Sequence, residues 1–230
     1  MRETISVIIP TYQHGDSIVA CLESILRQSR QADEIIVVDD GSTDETKQIL
    51  SSYLDRIEYL HQENAGAPAA RMRGFKSSKG SLLLFCDADI HMHKDLLKEL
   101  ETALRDDPGA SWAYCGFRWG WKRFRSRPYD KEALKRNNYI HTTSLIRRES
   151  FPGFDHTLKR FQDWDLWLTM SEQGHRGTFV DKELFRVIHQ RGRTGMSAWI
   201  PSFLFKLPFE TKRVREHRAA EQVVREKHRL

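Results

Sequence analysis

An apolar run that stops abruptly at two carboxylates, Ser81-Leu-Leu-Leu-Phe-Cys-Asp-Ala-Asp89, puts Asp87 and Asp89 one residue apart at the edge of a hydrophobic segment. Such a pair of hard oxygen donors suits a divalent cation that is itself bound to phosphate oxygens. The plain alternative is a solvated turn whose acidic residues lead into the next helix. Two more carboxylates, Asp39 and Asp40, close the apolar run that begins at Glu34, and Pro10-Thr-Tyr12 closes a third run that begins at Ser6. Tyr12 offers an aromatic face for a nucleobase, and Asp40 an acceptor for a base N–H. Taken singly, Asp40-Gly41-Ser42 is also ordinary turn chemistry, and a Tyr at a strand end is ordinary packing. Together, at the ends of three runs, these residues point to a nucleotide crevice.

That crevice exists only if the runs are strands that end on one rim. Ser6–Pro10, Glu34–Asp39, Ile57–His61 and Leu82–Cys86 have the length and continuous apolarity of strands buried on both faces. Amphipathic segments separate them. Ile18, Leu22, Ile25 and Leu26 share one helical face; Ser42 and Glu45 have the spacing of a capping box for a helix running to about Tyr53. Residues 67–77 make a small-residue helix able to approach a sheet closely. Leu96, Leu97, Leu100, Ala103 and Leu104 mark another helix, which Pro108-Gly109 ends before a strand at Ser111–Cys115. The alternation predicts an α/β fold: a mostly parallel, doubly wound, Rossmann-like sheet flanked by helices, with ligands at the strands' carboxyl ends.

Composition narrows the class. With 39% hydrophobic and 30% charged residues in 230, the chain reads as a soluble globular protein. It has no apolar run near the ~20 residues of a membrane span, and it opens straight into a strand, so a cytoplasmic location is expected. Cys21, Cys86 and Cys115 sit among apolar residues without CxxC spacing and read as reduced core residues. Residues 66–74 lack the Gly-Lys-Ser/Thr ending of a P-loop, which excludes that class of ATPase.

In order and spacing, Val7-Ile-Ile-Pro-Thr-Tyr12, Val37-Val-Asp-Asp-Gly-Ser-Thr-Asp44, Asn64-Ala-Gly66 with Ala70-Arg71 and Gly74, and Phe85-Cys-Asp-Ala-Asp89 resemble the nucleotide-binding half of the inverting family 2 glycosyltransferases, which have the GT-A fold. Residues 138–149, Gly153-Phe-Asp155 and Gln162-Asp-Trp-Asp-Leu-Trp167 resemble the acceptor half. The likeness covers about residues 4–197. It implies one catalytic domain over 1–197, divided into 1–109 and 110–197, and an apolar then basic extension over 198–230. It also implies a nucleoside-diphosphate sugar donor, a UDP-sugar first among them, and a glycan or lipid-linked hydroxyl acceptor. Tyr12 would stack on the base while Asp40 and Arg71 bind its edge. Asp87 would contact the ribose or the metal, and Asp89 would be the main ligand of Mg²⁺ or Mn²⁺. His189, closing a late strand-like run, stands where related enzymes carry a residue facing the metal or diphosphate.

A hydroxyl attacking the anomeric carbon must lose a proton, and the resemblance assigns that role to Asp163. The family's usual Glu-Asp pair is Gln162-Asp163 here, so Asp163 should feel less like-charge repulsion. A purely structural reading makes Asp163 the N-cap of a helix burying Trp164, Trp167 and Leu168. Asp165 would point away and is the weaker candidate. His91 and His93 read as solvated loop residues rather than ligands.

A different class, a nucleic-acid-binding or non-catalytic nucleotide-binding protein, is suggested by a pI near 9.1 and by the run Arg118-Trp-Gly-Trp-Lys-Arg-Phe-Arg-Ser-Arg127. On the transferase reading that run is an acceptor loop, and no nucleic acid is expected as a partner. The segment from Trp199 to Phe209 concentrates aromatic and aliphatic residues, and residues 211–230 carry seven Lys or Arg against three Glu. This pattern suits peripheral contact with an anionic membrane surface, or else an apolar piece that packs on the body followed by a basic tail that is a solvated helix.

Overall fold

The first strand, β1 (Ile5–Thr11), is buried along its whole length because it lies inside the sheet, with parallel neighbours on both sides. The structure is a computed structural model that describes residues 2–124, 126–188, 205 and 210–230. Residue His189, Arg125 of the basic run and all of 199–209 except Phe205 lie outside the described residues.

From β1 the chain passes through α1 (Gly15–Leu26) to β2 (Glu34–Asp39), then through α2 (Thr46–Leu50) to β3 (Glu58–His61) on the outer side of β2. Helix α3 (Ala67–Ser77) returns it to β4 (Leu82–Phe85), which pairs with the opposite side of β1. The direction of winding therefore reverses between β1 and β4, and ligand crevices form at such a point.

Beyond β4 the sheet becomes mixed. The short β5 (Ile90–Met92) precedes α4 (Leu96–Asp106), β6 (Trp112–Trp119), β7 (Lys122–Phe124), α5 (Lys131–Arg136), β8 (Leu145–Arg147), α6 (Gln162–Glu172) and β9 (Gly177–Val187). The strand order is β3-β2-β1-β4-β8-β6-β9-β5, with β7 hairpinned onto β6. Strand β8 runs antiparallel to both β4 and β6, and β5 antiparallel to β9, whereas β6 and β9 are parallel. The parallel half coincides with the four long apolar runs of the sequence; the mixed half includes β5, β7 and β8, each three residues long.

Side chains alternate across each strand. Ile5, Val7 and Ile9 join Leu22, Ile25, Leu97 and Leu100 under α1 and α4, while Ile8, Leu83 and Phe85 join Phe151, Trp164 and Trp167 on the other face. Close approach of α3 to the sheet depends on Gly74, where a Cβ would lie 2.5 Å from Ile8 Cγ2 and 3.1 Å from Val38 Cγ2. The expected capping box does not form. Ser42 Oγ accepts instead from the Gln13 N–H, Asp44 Oδ1 accepts from the Thr46 N–H, and the helix lasts only five residues before a 3-10 turn at Ser51–Tyr53. All three cysteines are buried and unpaired.

The last helix, α7 (Lys212–Lys227), is capped by the Thr211 hydroxyl accepting from the Val214 N–H. It packs on α6, with Val224 fully buried in the same apolar cluster as Trp164 and Leu166. A wholly solvated tail helix is therefore not what forms: Val214, Val224 and His228 are buried.

Candidate active site

The three strand ends meet as their parallel pairing requires. The Asp40 N–H donates to the Thr11 carbonyl at 2.8 Å, closing the rim between β1 and β2. Pro10 and Thr11 pair with Val38 and Asp39; both are buried, and the Thr11 hydroxyl has no hydrogen-bond partner among the described residues. Tyr12, just past the strand, is 47% exposed on the rim.

Asp40 is buried and well held. One carboxylate oxygen accepts from the Gln62 side chain at 2.7 Å and the Ala65 N–H at 2.9 Å; the other accepts from the Gly66 N–H at 2.8 Å. Gly66 has φ +88°, a conformation that favours glycine, and the chain turns there into α3. Asp39 beside it is spent on structure: its carboxylate accepts from the Ser42 N–H and the Tyr59 hydroxyl.

Across the switch point, α3 supplies Arg71, whose buried guanidinium donates to Asp87 Oδ1 at 2.6 Å and to Gln162 Oε1 at 2.7 Å. It lies 5.2 Å over the Phe154 ring, and its Nε has no partner among the described residues. Among the described residues no hydrogen bond or ion pair joins Arg71 to Asp40. Arg71 instead ties the end of β4 to the start of α6, so the parallel and the mixed parts of the fold share one guanidinium. Burial pushes the Asp87 carboxyl up, but Arg71 and then His141 outweigh it and hold the group below the ordinary carboxylate value. Two residues on, the Asp89 carbonyl accepts from the Ile188 N–H at 2.7 Å, fastening this turn to the end of β9.

Asp163 is the second residue of α6 rather than its N-cap; that position belongs to Phe161, in the left-handed region at φ 60°. The Asp163 carboxylate accepts from Asn138 Nδ2 at 2.7 Å and from the Trp164 N–H at 2.9 Å. Burial raises its pKa above the ordinary value, against the opposing pull of His141, the Trp164 N–H and Arg71. Helix α6 is anchored behind it by two indoles: Trp164 donates to the Leu134 carbonyl and Trp167 to the Ile140 carbonyl. Asp165 points the other way, into the α6–α7 contact.

His141 is the site residue that sequence reasoning missed. It carries charge coupling to both Asp87 and Asp163, and its ring packs 4.9 Å from Phe117 and 5.0 Å from Phe185. Its Nδ1 accepts from the Thr143 N–H, so the neutral ring bears its proton on Nε2. Burial is the largest influence on it and lowers its pKa. Asn138 and Gln62 were missed too. All three lie outside the strand and helix patterns, and only the spatial neighbours give them meaning.

A family model described as glycosyl transferase family 2 matches residues 6–157. The chain belongs to that family. It is 40% identical over 119 residues to the uncharacterized glycosyltransferase YibD of Escherichia coli (strain K12), a match that takes in 50% of this chain and 34% of YibD. The chain thus spans about a third of the length of that curated relative. Crystallised S. aureus TarS in complex with UDP-GlcNAc superposes with a TM-score of 0.72 at 22% identity, over 86% of this chain and 62% of that one. The mannosyltransferase PcManGT from Pyrobaculum calidifontis, in complex with GDP-Man and Mn²⁺, gives a TM-score of 0.68 at 18% identity, over 97% of this chain and 70% of that one. The fold of this family 2 chain is accordingly GT-A.

The residues present fit a hard cation in part-open coordination. Among the described residues no three His, Cys, Asp or Glu side chains gather into a closed cage. Asp87 and Asp89 offer carboxylate oxygens at the crevice mouth, and one Asp87 oxygen is committed to Arg71. That donor set suits Mg²⁺ or Mn²⁺, which keep waters and accept phosphate oxygens to complete their shell. His91, half-buried on β5 opposite Arg186, has its pKa lowered by burial, and His93 accepts from the Asp95 N–H. No helix among the described residues is long and apolar enough to cross a membrane.

Proposed function

We propose that this chain transfers one sugar from a nucleoside-diphosphate sugar, a UDP-sugar first among donors, to a hydroxyl acceptor by single displacement with inversion. The observation that carries the reading is the Arg71 bridge, 2.6 Å to Asp87 and 2.7 Å to Gln162, which supports one site shared by the strand-end carboxylates and Asp163. In this reading Tyr12 stacks on the base, and Pro10 and Thr11 line its floor. Asp40 receives a base N–H at its remaining lone pair, since a carboxylate has about four acceptor sites and three are filled. Asp87 would meet the ribose or metal, Asp89 would hold the metal, and His189, outside the described residues, is the expected partner of the metal or diphosphate. A bound Mg²⁺ or Mn²⁺ supplies Lewis-acid stabilisation of the leaving diphosphate.

Asp163 takes the acceptor proton. Its raised pKa makes it a better base than a solvent-exposed carboxylate, and Asn138 fixes the direction of one oxygen. UDP-GlcNAc in TarS and GDP-Man with Mn²⁺ in PcManGT support a nucleotide-sugar donor and a divalent cation here. A cytoplasmic enzyme acting on a lipid-linked acceptor at a membrane surface fits as well, because Lys212, Arg213 and Arg215 are exposed on α7.

A thermal-shift screen of UDP-, GDP- and dTDP-sugars with Mn²⁺ tests the donor site, since a ligand at 100 times its Kd stabilises by about 2.7 kcal/mol. Asp89→Ala should abolish the Mn²⁺-dependent shift while leaving the unliganded Tm unchanged. An unaltered shift in that variant would contradict the metal assignment.

A further inference from the structure

Asp165 is 3% exposed, and one of its oxygens accepts from both Lys227 Nζ at 2.7 Å and His228 Nε2 at 2.8 Å. The other ring nitrogen of His228 lies 2.9 Å from Glu172 Oε1, and Lys227 also reaches Asp155 Oδ2 at 2.7 Å. Ionised carboxylates only accept, so a His228 that faces one on each side donates from both nitrogens and is an imidazolium. The contact extends along α6. His217 packs 4.9 Å from the Phe161 ring, and the Arg225 guanidinium lies 5.2 Å over Trp164 while donating to the Arg136 carbonyl.

Phe161 and Trp164 flank Gln162 and Asp163 in the chain. Helix α7 thus holds the residue before this pair, the residue after it and the next carboxylate. A buried Asp165 deprived of both cations would be an uncompensated charge two residues from the base, and the first turn of α6 would have to move to rehydrate it.

We propose that Lys227 and His228 are positioning residues: through Asp165 they clamp α6, so that the C-terminal helix fixes where Asp163 stands. This rests on the transferase reading for the role of Asp163. It gives the second carboxylate of the Gln-Asp-Trp-Asp sequence a task distinct from chemistry, and it makes the basic tail part of the catalytic body. Removal of the clamp should largely spare the donor strands, because β1 to β4 make none of these contacts and α3 meets the first turn of α6 through the Arg71–Gln162 hydrogen bond rather than through α7.

The test uses the full chain and the variants His228→Ala, Lys227→Met and the conservative Lys227→Arg. Turnover of UDP-sugar, UDP affinity with Mn²⁺, and amide deuterium exchange are read for each. The expected result is a loss of about tenfold or more in turnover for the first two variants, with UDP affinity kept within about twofold. Exchange should quicken over 162–172 and stay unchanged over β1 to β4, and Lys227→Arg should stay near wild type. Unchanged exchange over 162–172 overturns the clamp, as does wild-type turnover despite quickened exchange. So does a parallel fall of affinity and turnover, which would mark a merely structural helix. A wild-type chain that binds UDP but never turns over a UDP-sugar would count against the transferase reading instead, and the exchange result would then judge the clamp alone.

Discussion

Gln162 is the residue through which Arg71 reaches α6, beside the proposed base Asp163, and it is neutral where the family resemblance leads one to expect a glutamate. A carboxylate in its place would bind Arg71 more strongly, yet it would put a second negative charge next to Asp163 and disfavour ionisation of that group. Asp163 accepts a proton only when ionised, so activity falls as pH drops through its pKa, which burial already sets above the ordinary 3.8. Gln162→Glu is therefore expected to move the acid limb of kcat/KM to higher pH, as a pH–rate profile would record; an unmoved limb, or one shifted to lower pH, would contradict this repulsion. At this scale the sequence was legible for carboxylates standing where apolar runs end, such as Asp40 and Asp87. It was silent on what Arg71 joins, because a basic residue in a small-residue helix has the same spacing whether it faces solvent or two carbonyl-bearing partners. His141 was hidden for a related reason: it lies in an extended segment, and its importance comes from Asp87 and Asp163, far off in the chain.

Among the elements, β1 to β4 and α3 coincide with the apolar and small-residue runs to within one or two residues, as at Glu34–Asp39 and Ala67–Ser77, whereas β6 continues past the expected Cys115 to Trp119 and most of β9 (Gly177–Val187) was not foreseen. Much else that escaped notice was short. Strands β5, β7 and β8 are three residues each and exist because β9, β6 and β4 offer ladder partners, which no local pattern encodes. The helix after Ser42 is shortened by the rim itself, which uses Ser42 and Asp44 to bind Gln13, Gly15 and Thr46 instead of completing a cap. Gly74→Ala should destabilise the fold by ~1–3 kcal/mol, the usual cost of overpacking, since its Cβ would overlap Ile8. Denaturant unfolding measures this, and a neutral result would mean that α3 can shift outward freely. The α7 contact carries a pH signature. Burial opposes the charge on His228, but Asp165 and Glu172 raise its pKa above 6.5 in the folded chain, with Lys227 and Asp155 completing the charges around it. A raised pKa contributes stability that is fully present below pH 6.5 and fades as pH climbs through the folded value. The Tm advantage of the native chain over His228→Gln should therefore shrink from about pH 6 to pH 9; this difference also cancels the opposite trend of His217, whose pKa burial lowers. A constant or growing advantage would contradict a charged His228.

Over the whole molecule, charge is unevenly placed: residues 211–230 hold a net +4 of the chain's +5. Much of it is paired within the tail, where Arg215 and Arg218 reach Glu210 and Arg225 reaches Glu221, and the inner end is spent on α6. The outward remainder, Arg213 foremost and Lys212 held loosely at 3.9 Å from Glu216, is what an anionic surface would meet. Sedimentation with anionic liposomes should thus be modest at low salt and absent at high salt, and a chain that stays in the supernatant at low salt would leave a soluble acceptor as the better reading. The larger proposition is that two halves of one sheet, joined by Arg71, form a single site in which Asp163 activates an acceptor against an anomeric carbon. Proton NMR of UDP-sugar turnover with Mn²⁺ tests it most directly, following the anomeric configuration of the first-formed product for the native chain and for Asp163→Asn. The account predicts an inverted anomeric centre from the native chain, and from Asp163→Asn unchanged donor affinity with turnover reduced by at least ~10²-fold. Retained configuration, or an Asp163→Asn variant that turns over like the native chain, would contradict it.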